Sequence, residues 1–285
     1  MNKEFVFRCV FTVAAMASIV AVLLICLFLF ANGIPAIGEI GPLRFLTGTH
    51  WRPMDVPASF EILPMILGSI YVTAGAILFG VPVGIFTSVF MAEMCPKRLY
   101  SVLKPCVNLL AGIPSVVYGF FGMVVLVPFV RANFGGTGAS ILTASILLGI
   151  MILPTIVAIS ESSMRAIPRE LYDGALALGA SRERAVFRVI LPAAKSGVMA
   201  SIVLGVGRAI GETMAVRMVA GNQALMRLPN DFLMGARTMT ANIVLELGYA
   251  TDLHRYALVG TGVVLFVFIM LINLFLSLIK RREGR

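Results

Sequence analysis

The chain has 285 residues, of which 59% are hydrophobic and only 13% are charged, against roughly 45–50% and 25% in ordinary soluble domains. Its mean hydropathy is +0.96. A soluble globule could not bury that much apolar surface, so the composition excludes soluble, disordered and disulfide-scaffold proteins. Apolar runs of about 20 residues also exclude a β-barrel, whose strands alternate over about 10 residues. We therefore predict an all-α protein that crosses a membrane several times.

Six charge-free runs are each long enough to cross a hydrocarbon core of about 30 Å as a helix. The six predicted spans are 11–31, 64–92, 107–130, 140–160, 197–219 and 257–279. The first span resembles a signal peptide, but it is long and no small-x-small cleavage site precedes Asn32, so we expect it to be retained. The spans divide the chain into an N-terminal helix with an outer loop, residues 1–62, and a five-helix core, residues 63–285.

The basic residues are distributed unevenly between the loops. With the N-terminus inside, 15 of the 23 Lys and Arg lie in inner segments and six in outer segments, and Arg208 and Arg217 lie within the fifth span. This positive-inside asymmetry places both termini in the cytoplasm and predicts a multi-pass protein of the inner membrane. Because topology accounts for the net charge of +9, no nucleic-acid partner is expected.

Cysteine and histidine do not form a pattern that would bind a metal. Cys9, Cys26, Cys95 and Cys106 lie inside or within the membrane in this topology and lack metal-ligand spacing, so we expect packing roles. His50 and His254 are single residues on outer loops and are expected to be ordinary polar residues. The outer loop 32–63 is rich in Pro and Gly, which predicts turns, and Trp51 is expected at the membrane interface. A short helix is predicted in the third outer loop, 220–256, over 236–247.

The inner loop 161–196 is too polar to insert and too periodic to be unstructured. Pro168 suits the first turn of a helix, and Gly179 is placed to end that helix with positive φ. Ser181 can cap a second helix, with Glu183 near its positive end. The apolar residues of the first helix follow a helical spacing: Leu171, Ala175 and Leu178. The sequence predicts a hairpin of two short helices on the cytoplasmic face, and periodicity alone leaves open a simple amphipathic connector.

The same loop carries a motif with defined spacing. Asp173-Gly174-Ala175, then Gly179 after three residues, then Val189-x-Leu191-Pro192 after nine resembles the EAA loop of ABC importer permeases, EAA-x3-G-x9-I-x-LP. It departs from that pattern at Asp173, Gly174 and Val189. The resemblance implies that Leu171 to Gly179 form a coupling helix, which docks into a cleft of a cytoplasmic ATPase subunit.

Four further segments resemble the permeases of the phosphate-specific (Pst) importers, and the resemblance covers about residues 5–280. They are GIPSVVYGFFG at 112–122, GRAIGETMAV at 207–216, FLxGxxW at 45–51 and TMTA at 238–241. Of the two paired permeases of that importer, the run from 207 to 222 resembles the PstC type. The resemblance implies a MetI-like core and a complex with a second, PstA-like permease, two ATPase subunits and an outside phosphate-binding protein. ATP would be used by the partner ATPase, with no cofactor in this chain.

Arg208 and Glu212 lie within the otherwise apolar fifth span, where each charge costs at least about 2.5–3.5 kcal/mol. Four residues apart on one helix, they would face the same side and could pair. One interpretation is a structural ion pair that locks helices together. The other is an anion path, in which the guanidinium offers a planar fork of donors to a tetrahedral oxyanion and Glu212 neutralises it when the path is empty.

Small residues and a proline mark two of the spans. Gly207 and Gly211 would let another helix approach closely. Gly112 and Pro114 weaken the third span, since Pro removes a backbone hydrogen bond and favours a kink. For all four residues, packing and gating remain alternative roles.

The sequence lacks the motifs of an enzyme. There is no G-x-x-x-x-G-K-[ST], G-x-S-x-G or H-E-x-x-H run, so ATP hydrolysis would have to come from a partner. We predict a permease subunit of an ATP-driven importer that moves phosphate into the cytoplasm between two permeases. The alternatives are a permease for another oxyanion such as sulfate or molybdate, or an anion channel or secondary transporter without an ATPase, which would leave the inner hairpin unexplained.

Overall fold

The computed structural model describes residues 3–224 and 232–283, and the predicted all-α fold is confirmed. Part of the predicted third outer loop, residues 225–231, lies outside the described residues. The helices of the N-terminal half are α1 (Lys3–Ile40), α2 (Pro42–Thr47), α3 (Leu63–Val89), α4 (Lys97–Gly112), α5 (Ser115–Phe121), α6 (Val127–Phe134) and α7 (Ile141–Arg165). Those of the C-terminal half are α8 (Arg169–Ala177), α9 (Arg182–Ala185), α10 (Leu191–Ala193), α11 (Lys195–Gly211), α12 (Met214–Val219), α13 (Met239–Glu246) and α14 (Asp252–Glu283).

Three π turns and one β-hairpin complete the described elements. The π turns are Phe90–Met94, Gly122–Leu126 and Val186–Ile190. Strands β1 (Trp51–Arg52) and β2 (Ser59–Phe60) are antiparallel, with Trp51 opposite Phe60. They form a small hairpin in the predicted first outer loop.

Five helical segments of the described chain are long and apolar enough to cross a membrane. They are Glu4–Ile40, Leu63–Met94, Ser115–Phe134, Ile141–Arg165 and Asp252–Phe275. A sixth span is formed if Arg182–Ala193 and Lys195–Gly211, which meet at an angle of 70°, are taken together. The prediction of six spans therefore agrees with the structure only when this bent segment is counted as one crossing.

The first span is longer than predicted. We expected a turn-rich loop from residue 32, but α1 continues to Ile40 with Pro35 inside the helix. The reason is tertiary packing against α14: a Cβ on Gly33 would lie only 2.6 Å from Val263 Cγ2 and 3.2 Å from the Gly260 backbone. This close contact holds the helical turn in which Pro35 lies, despite its missing N–H.

The centre of the molecule is the contact between α3 and α7. Small residues let the two backbones approach, since a Cβ on Gly80 would lie 2.9 Å from the Gly149 carbonyl oxygen. In a membrane such close van der Waals packing supplies much of the association between helices. The largest buried cluster surrounds this contact and includes Leu147, Met151 and Ile156, each no more than 1% exposed.

A buried polar cluster, called here the outer cluster, surrounds Glu246 at the end of the molecule that the predicted topology places outside, and the sequence did not predict it. Trp51 is buried, and its Nε1 donates a hydrogen bond to Glu246 Oε2 at 2.7 Å. His254 Nε2 lies 2.9 Å from the same oxygen, and Arg237 Nη1 donates to Glu246 Oε1 at 2.7 Å. The prediction of an ordinary loop His254 is therefore wrong, because burial of Glu246 requires hydrogen-bond donors. The position of Trp51 at the membrane interface stays a prediction.

Candidate functional site

The segment predicted as the third span contains a complete break in the helix, and the crossing that the structure shows begins after it, at Ser115. We predicted a continuous segment over 107–130 with a kink at Pro114, but α4 ends at Gly112 and α5 begins at Ser115. Ile113 has φ −69° and ψ 127°, and Pro114 has φ −60° and ψ 143°. Ile113 is extended because a proline ring disfavours the helical conformation of the residue before it, and Pro114 is the extended N-cap residue of α5. Gly112 and Pro114 thus flank the end of a helix and not a bend within one.

The fifth span is broken in the same way. We predicted one helix over 197–219, but α11 ends at Gly211 and Glu212 is extended, with φ −70° and ψ 127°. Glu212 Oε1 accepts a hydrogen bond from the Ala215 N–H at 3.3 Å, near the start of α12. Its carboxylate is therefore placed where a negative charge is favourable at a helix N-terminus.

Arg208 and Glu212 do not form the pair that the sequence suggested. The prediction that they face one side of a helix is wrong because Glu212 has left the helix. Arg208 Nη1 instead donates to Thr155 Oγ1 of α7 at 3.1 Å, and among the ion pairs of the described residues none joins Arg208 to Glu212. The half-buried guanidinium keeps further N–H donors that Thr155 does not use.

The two breaks lie next to each other. A Cβ on Gly119 of α5 would lie 3.0 Å from Ala215 Cα of α12, and one on Gly122 would lie 2.8 Å from Val219. Because residue numbers rise together along this contact, α5 and α12 run parallel and both begin at the same end. The structure therefore brings the breaks at 113–114 and 212–213 together.

The glycines near these breaks have open space at the position of a Cβ atom. A Cβ added to Gly112, Gly207 or Gly211 would meet no described atom of this chain within 4 Å. Close packing of Gly207 and Gly211 against another helix of the described chain is therefore not seen. The roles of Gly112, Pro114, Gly207 and Gly211 in gating, and of Arg208 and Glu212 in a substrate path, stay predictions.

The inner hairpin forms as the sequence predicts. Pro168 precedes α8, and Gly179 follows its end with φ +85°. The Gly179 N–H donates to Leu176 O at 2.9 Å and the Ala180 N–H to Ala175 O at 3.1 Å, the two hydrogen bonds of a Schellman motif. The predicted positive φ of Gly179 is confirmed, and glycine adopts it without the steric cost that a Cβ imposes.

The second helix of the hairpin also starts where predicted. The Ser181 hydroxyl accepts a hydrogen bond from the Arg184 N–H at 3.2 Å and caps α9. Glu183 lies in the first turn of α9, where the helix dipole favours its negative charge.

Helix α8 exposes most of the residues that the motif singles out. Leu171 is 48% exposed and Leu178 is 92% exposed, and Asp173, Gly174 and Gly179 are exposed as well. Ala175 is half-buried, and Pro192 is exposed at the start of the next helical turn.

One side of the hairpin packs against the rest of the protein. Tyr172 and Leu191 pack against a buried cluster that contains Val89, Met164 and Ile190. The exposed apolar residues of the hairpin, Leu171 and Leu178, therefore lie away from this buried cluster.

A second buried carboxylate, which the sequence did not single out, lies near the C-terminal end of α7. Glu161 is 1% exposed and accepts hydrogen bonds from Tyr100 Oη at 2.6 Å, Lys104 Nζ at 2.6 Å and Arg165 Nε at 2.9 Å. The bond to Glu161, together with burial, raises the pKa of Tyr100. The available signal was the spacing i, i+4 of Tyr100 and Lys104 and of Glu161 and Arg165, which places each pair on one helix face.

Comparison with known proteins decides the family. Residues 80–285 match the family described as "Binding-protein-dependent transport system inner membrane component". The chain belongs to this family. It is therefore a membrane component of a binding-protein-dependent transport system, and the resemblance to ABC importer permeases is confirmed.

Curated relatives extend over nearly the whole chain. The chain is 41% identical over 275 residues to a probable ABC transporter permease, YqgH, of Bacillus subtilis (strain 168), covering 93% of this chain and 88% of that protein. It is 36% identical over 284 residues to the phosphate transport system permease protein PstC of Mesorhizobium japonicum, covering 92% and 85%. The resemblance to Pst-type permeases is thus confirmed over most of the sequence.

Solved structures share the fold at lower identity. An inward-facing structure of the MetNI methionine ABC transporter matches with a TM-score of 0.62 and 21% identity, over 79% of this chain and 98% of that chain. A bacterial alginate ABC transporter matches with a TM-score of 0.62 and 18% identity, over 98% and 96%. These similarities confirm the predicted MetI-like permease fold.

Proposed function

We propose that this chain is the permease subunit of an ATP-driven importer that moves inorganic phosphate into the cytoplasm. The similarity to PstC proteins over more than nine-tenths of the chain supports phosphate as the substrate. The observation that carries the path is the position of Arg208: it lies one turn before the Glu212 break, beside glycines that no described atom of this chain covers.

The chemistry of this position suits an oxyanion. A guanidinium offers five N–H donors in a planar fork, and Thr155 takes one hydrogen bond from it. Broken helices at mid-membrane expose backbone groups that line a path in other transporters. A phosphate that passed the breaks would therefore meet a fixed positive charge with unused donors.

The proposed importer contains several partner subunits. The open face at the breaks would meet a second, PstA-like permease, an outside phosphate-binding protein would deliver the substrate, and two ATPase subunits would receive the exposed side of α8. ATP binding would pull the hairpins together and switch the path between outward- and inward-facing states. Both termini would then lie in the cytoplasm, at the inner membrane.

The test is uptake of radiolabelled phosphate by vesicles that contain the reconstituted complex. We expect uptake that requires ATP on the ATPase side and is not displaced by an excess of sulfate or molybdate. Displacement by either competitor would assign a different oxyanion. Uptake that persists when the ATPase subunits are left out would instead indicate a channel or a secondary transporter.

A further inference from the structure

Helix α4 differs from the other helices around the candidate path, because it is attached to the chain by extended joints at both ends. Before it, Cys95 has φ −76° and ψ 126° and Pro96 has φ −60° and ψ 143°. After it, Ile113 and Pro114 have almost the same dihedral angles. Neither joint continues a helical hydrogen-bond ladder, and one hydrogen bond, from the Tyr118 hydroxyl of α5 to the Leu110 carbonyl oxygen of α4 at 2.8 Å, crosses the second joint. The sequence of α4 therefore forms an arm between two hinges.

The arm has no buried residue. Its packing within the described chain is mainly against α7, and its two side-chain hydrogen bonds to that helix go to one group, Glu161, while the Arg165 guanidinium of α7 lies 4.4 Å from the centre of the Tyr100 ring. Tyr100 Oη and Lys104 Nζ each lie 2.6 Å from a different oxygen of this carboxylate. A helix with no buried apolar residue gains little from the hydrophobic effect at this contact, so the two charge-assisted hydrogen bonds carry an unusual share of its attachment.

The contact is built so that it can open. Glu161 is almost completely buried, whereas the side chains of Lys104 and Arg165 are 29% and 41% exposed. Arg165 lies four residues further along α7 and holds Glu161 Oε1 at 2.9 Å. If α4 swings away, this bond within α7 remains and water can reach the carboxylate. The charge of Glu161 is therefore compensated whether α4 is attached or released.

The same region is tied to the coupling hairpin. Arg165 Nη2 donates to the Met91 carbonyl oxygen at 2.9 Å, and Arg169 Nη1 of α8 lies 3.1 Å from Glu93 Oε2. Met91 and Glu93 belong to the π turn Phe90–Met94, which leads directly into the joint at Cys95. π turns are frequently found at functional sites. A displacement of α8 would thus reach the first hinge of α4 through the contact of Arg169 with Glu93, while Arg165 of α7 holds the same π turn at Met91.

We propose that Glu161 is a latch that holds α4 against α7, and that α4 is the movable inner arm of the transport path, released when the coupling hairpin moves. The other end of α4 meets the candidate path at Gly112, whose Cβ position is open, and at the break beside Glu212. Release of the arm would widen or narrow the cytoplasmic end of that path. The sense of this motion in a transport cycle rests on the proposed function; the latch itself rests on the contacts of Glu161.

Distances between spin labels in the assembled complex test the latch. One label is placed at Val102, on the exposed side of α4, and one at Ser162, exposed on α7, in a chain whose four cysteines are replaced. For the unmodified latch we expect one short distance without nucleotide and a longer one when ATP is trapped with vanadate. Without nucleotide, Glu161→Gln should increase the fraction of complexes with the longer distance about fivefold or more. The reason is that the substitution replaces hydrogen bonds to a charged carboxylate by weaker ones to a neutral amide.

A control separates loss of the latch from loss of charge. Arg98→Gln removes a positive charge from the same helix, but Arg98 is exposed and is not one of the donors to Glu161. It should leave both distances unchanged. A purely structural Glu161 would lower the yield of assembled complex without changing the ratio of the two distances in the fraction that assembles.

Milder variants cover the case in which Glu161→Gln does not assemble. Tyr100→Phe and Lys104→Met each remove one donor and should shift the population in the same direction by a smaller factor. The proposal is overturned if trapped ATP leaves the distance of the unmodified chain unchanged, or if none of these variants alters the populations. Phosphate uptake is measured on the same preparations, so that a complex with a working latch but no phosphate uptake would contradict the proposed substrate and not the latch.

Discussion

Ile113 and Glu212 have the same backbone conformation, with φ −69° and ψ 127° for the first and φ −70° and ψ 127° for the second. Each is the residue at which a predicted span stops being helical, and each is followed within two residues by a new helix, α5 or α12. These two helices pack side by side and in parallel. The likeness therefore concerns two neighbouring breaks, each inside a segment predicted to be one helix, that have the same backbone conformation.

Such a paired interruption has a physical cost that packing alone does not explain. An unbroken helix satisfies its own backbone groups, whereas each break leaves N–H and C=O groups that need other partners. The Glu212 carbonyl oxygen receives one from the Thr240 hydroxyl of α13 at 3.3 Å. In membrane proteins non-helical backbone of this kind is tolerated where protein buries it or where it lines an aqueous cavity, which agrees with a path at this position.

The first prediction concerns topology. Val56 at the tip of the β-hairpin is fully exposed and Leu178 at the end of α8 is 92% exposed, so a cysteine at either position is accessible unless a membrane lies between it and the reagent. In a cysteine-free background, an impermeant thiol reagent added to intact cells should label position 56 and not position 178. Inside-out vesicles without the ATPase should give the reverse. Labelling of position 178 from outside would contradict the coupling role of α8.

The second prediction concerns the end of α8, the proposed coupling helix. At φ +85° a β-branched side chain is strained by about 1–2 kcal/mol, although the space around Gly179 is open. Gly179→Val should leave the chain in the membrane but weaken its hold on the ATPase. Retention of the ATPase is measured by co-purification, and coupling by phosphate-stimulated ATP hydrolysis.

Two neighbouring substitutions serve as controls for Gly179. Gly179→Asn should be tolerated better, because asparagine adopts positive φ more readily than other non-glycine residues. Gly174→Ala, inside α8 with open space at its Cβ, should stabilise the helix by about 0.5–1 kcal/mol. Wild-type coupling in Gly179→Val would show that the geometry of this turn does not matter to the ATPase contact.

The local features of the hairpin were predictable because their causes are local. The conformation of Gly179, the cap by Ser181 and the start after Pro168 depend on residues within one or two turns. The break at Ile113 was partly visible, since Pro114 was expected to bend the helix, but the sequence did not show that the helix would end there.

The remaining features depend on distant parts of the chain. Nothing in the residues around Glu212 marks a helix end, and the break there is supported by Thr240, 28 residues away. Trp51 and Glu246 are 195 residues apart, and Tyr100 and Glu161 are 61 apart. Spacing along a sequence cannot reveal which loop or helix will supply the partner of a buried carboxylate, so both clusters were missed.

The third prediction concerns the outer cluster. Glu246 is buried and paired with Arg237, and neutralising one member of a buried ion pair typically costs about 3–5 kcal/mol. Glu246→Gln should therefore lower the thermal stability of the purified permease markedly. The matched control is Asp55→Asn, because Asp55 and Arg52 form an exposed ion pair, for which a loss of only about 0–1 kcal/mol is expected. Equal effects of the two substitutions, measured by thermal unfolding in detergent, would contradict the view that the outer cluster holds this end of the molecule together.

The last prediction tests Arg208 as a contact of the substrate against a purely structural role. If the guanidinium binds the anion, Arg208→Gln should assemble but lose phosphate uptake by about 30-fold or more, since removing one partner of a desolvated charged contact costs about 2 kcal/mol or more. Arg208→Lys should also be impaired, because an ammonium keeps the charge but loses the planar fork. Thr155→Val is the matched control: it removes the acceptor of Arg208 and keeps the guanidinium, so most uptake should remain.

If Arg208 only joins α11 to α7, Thr155→Val and Arg208→Gln should have similar effects on stability and on uptake. Because Glu212 caps α12 and is not paired with Arg208, the double variant Arg208→Gln/Glu212→Gln should not recover transport. Uptake is normalised to assembled complex in each case, and substantial uptake by Arg208→Gln or by the double variant would exclude Arg208 from the path.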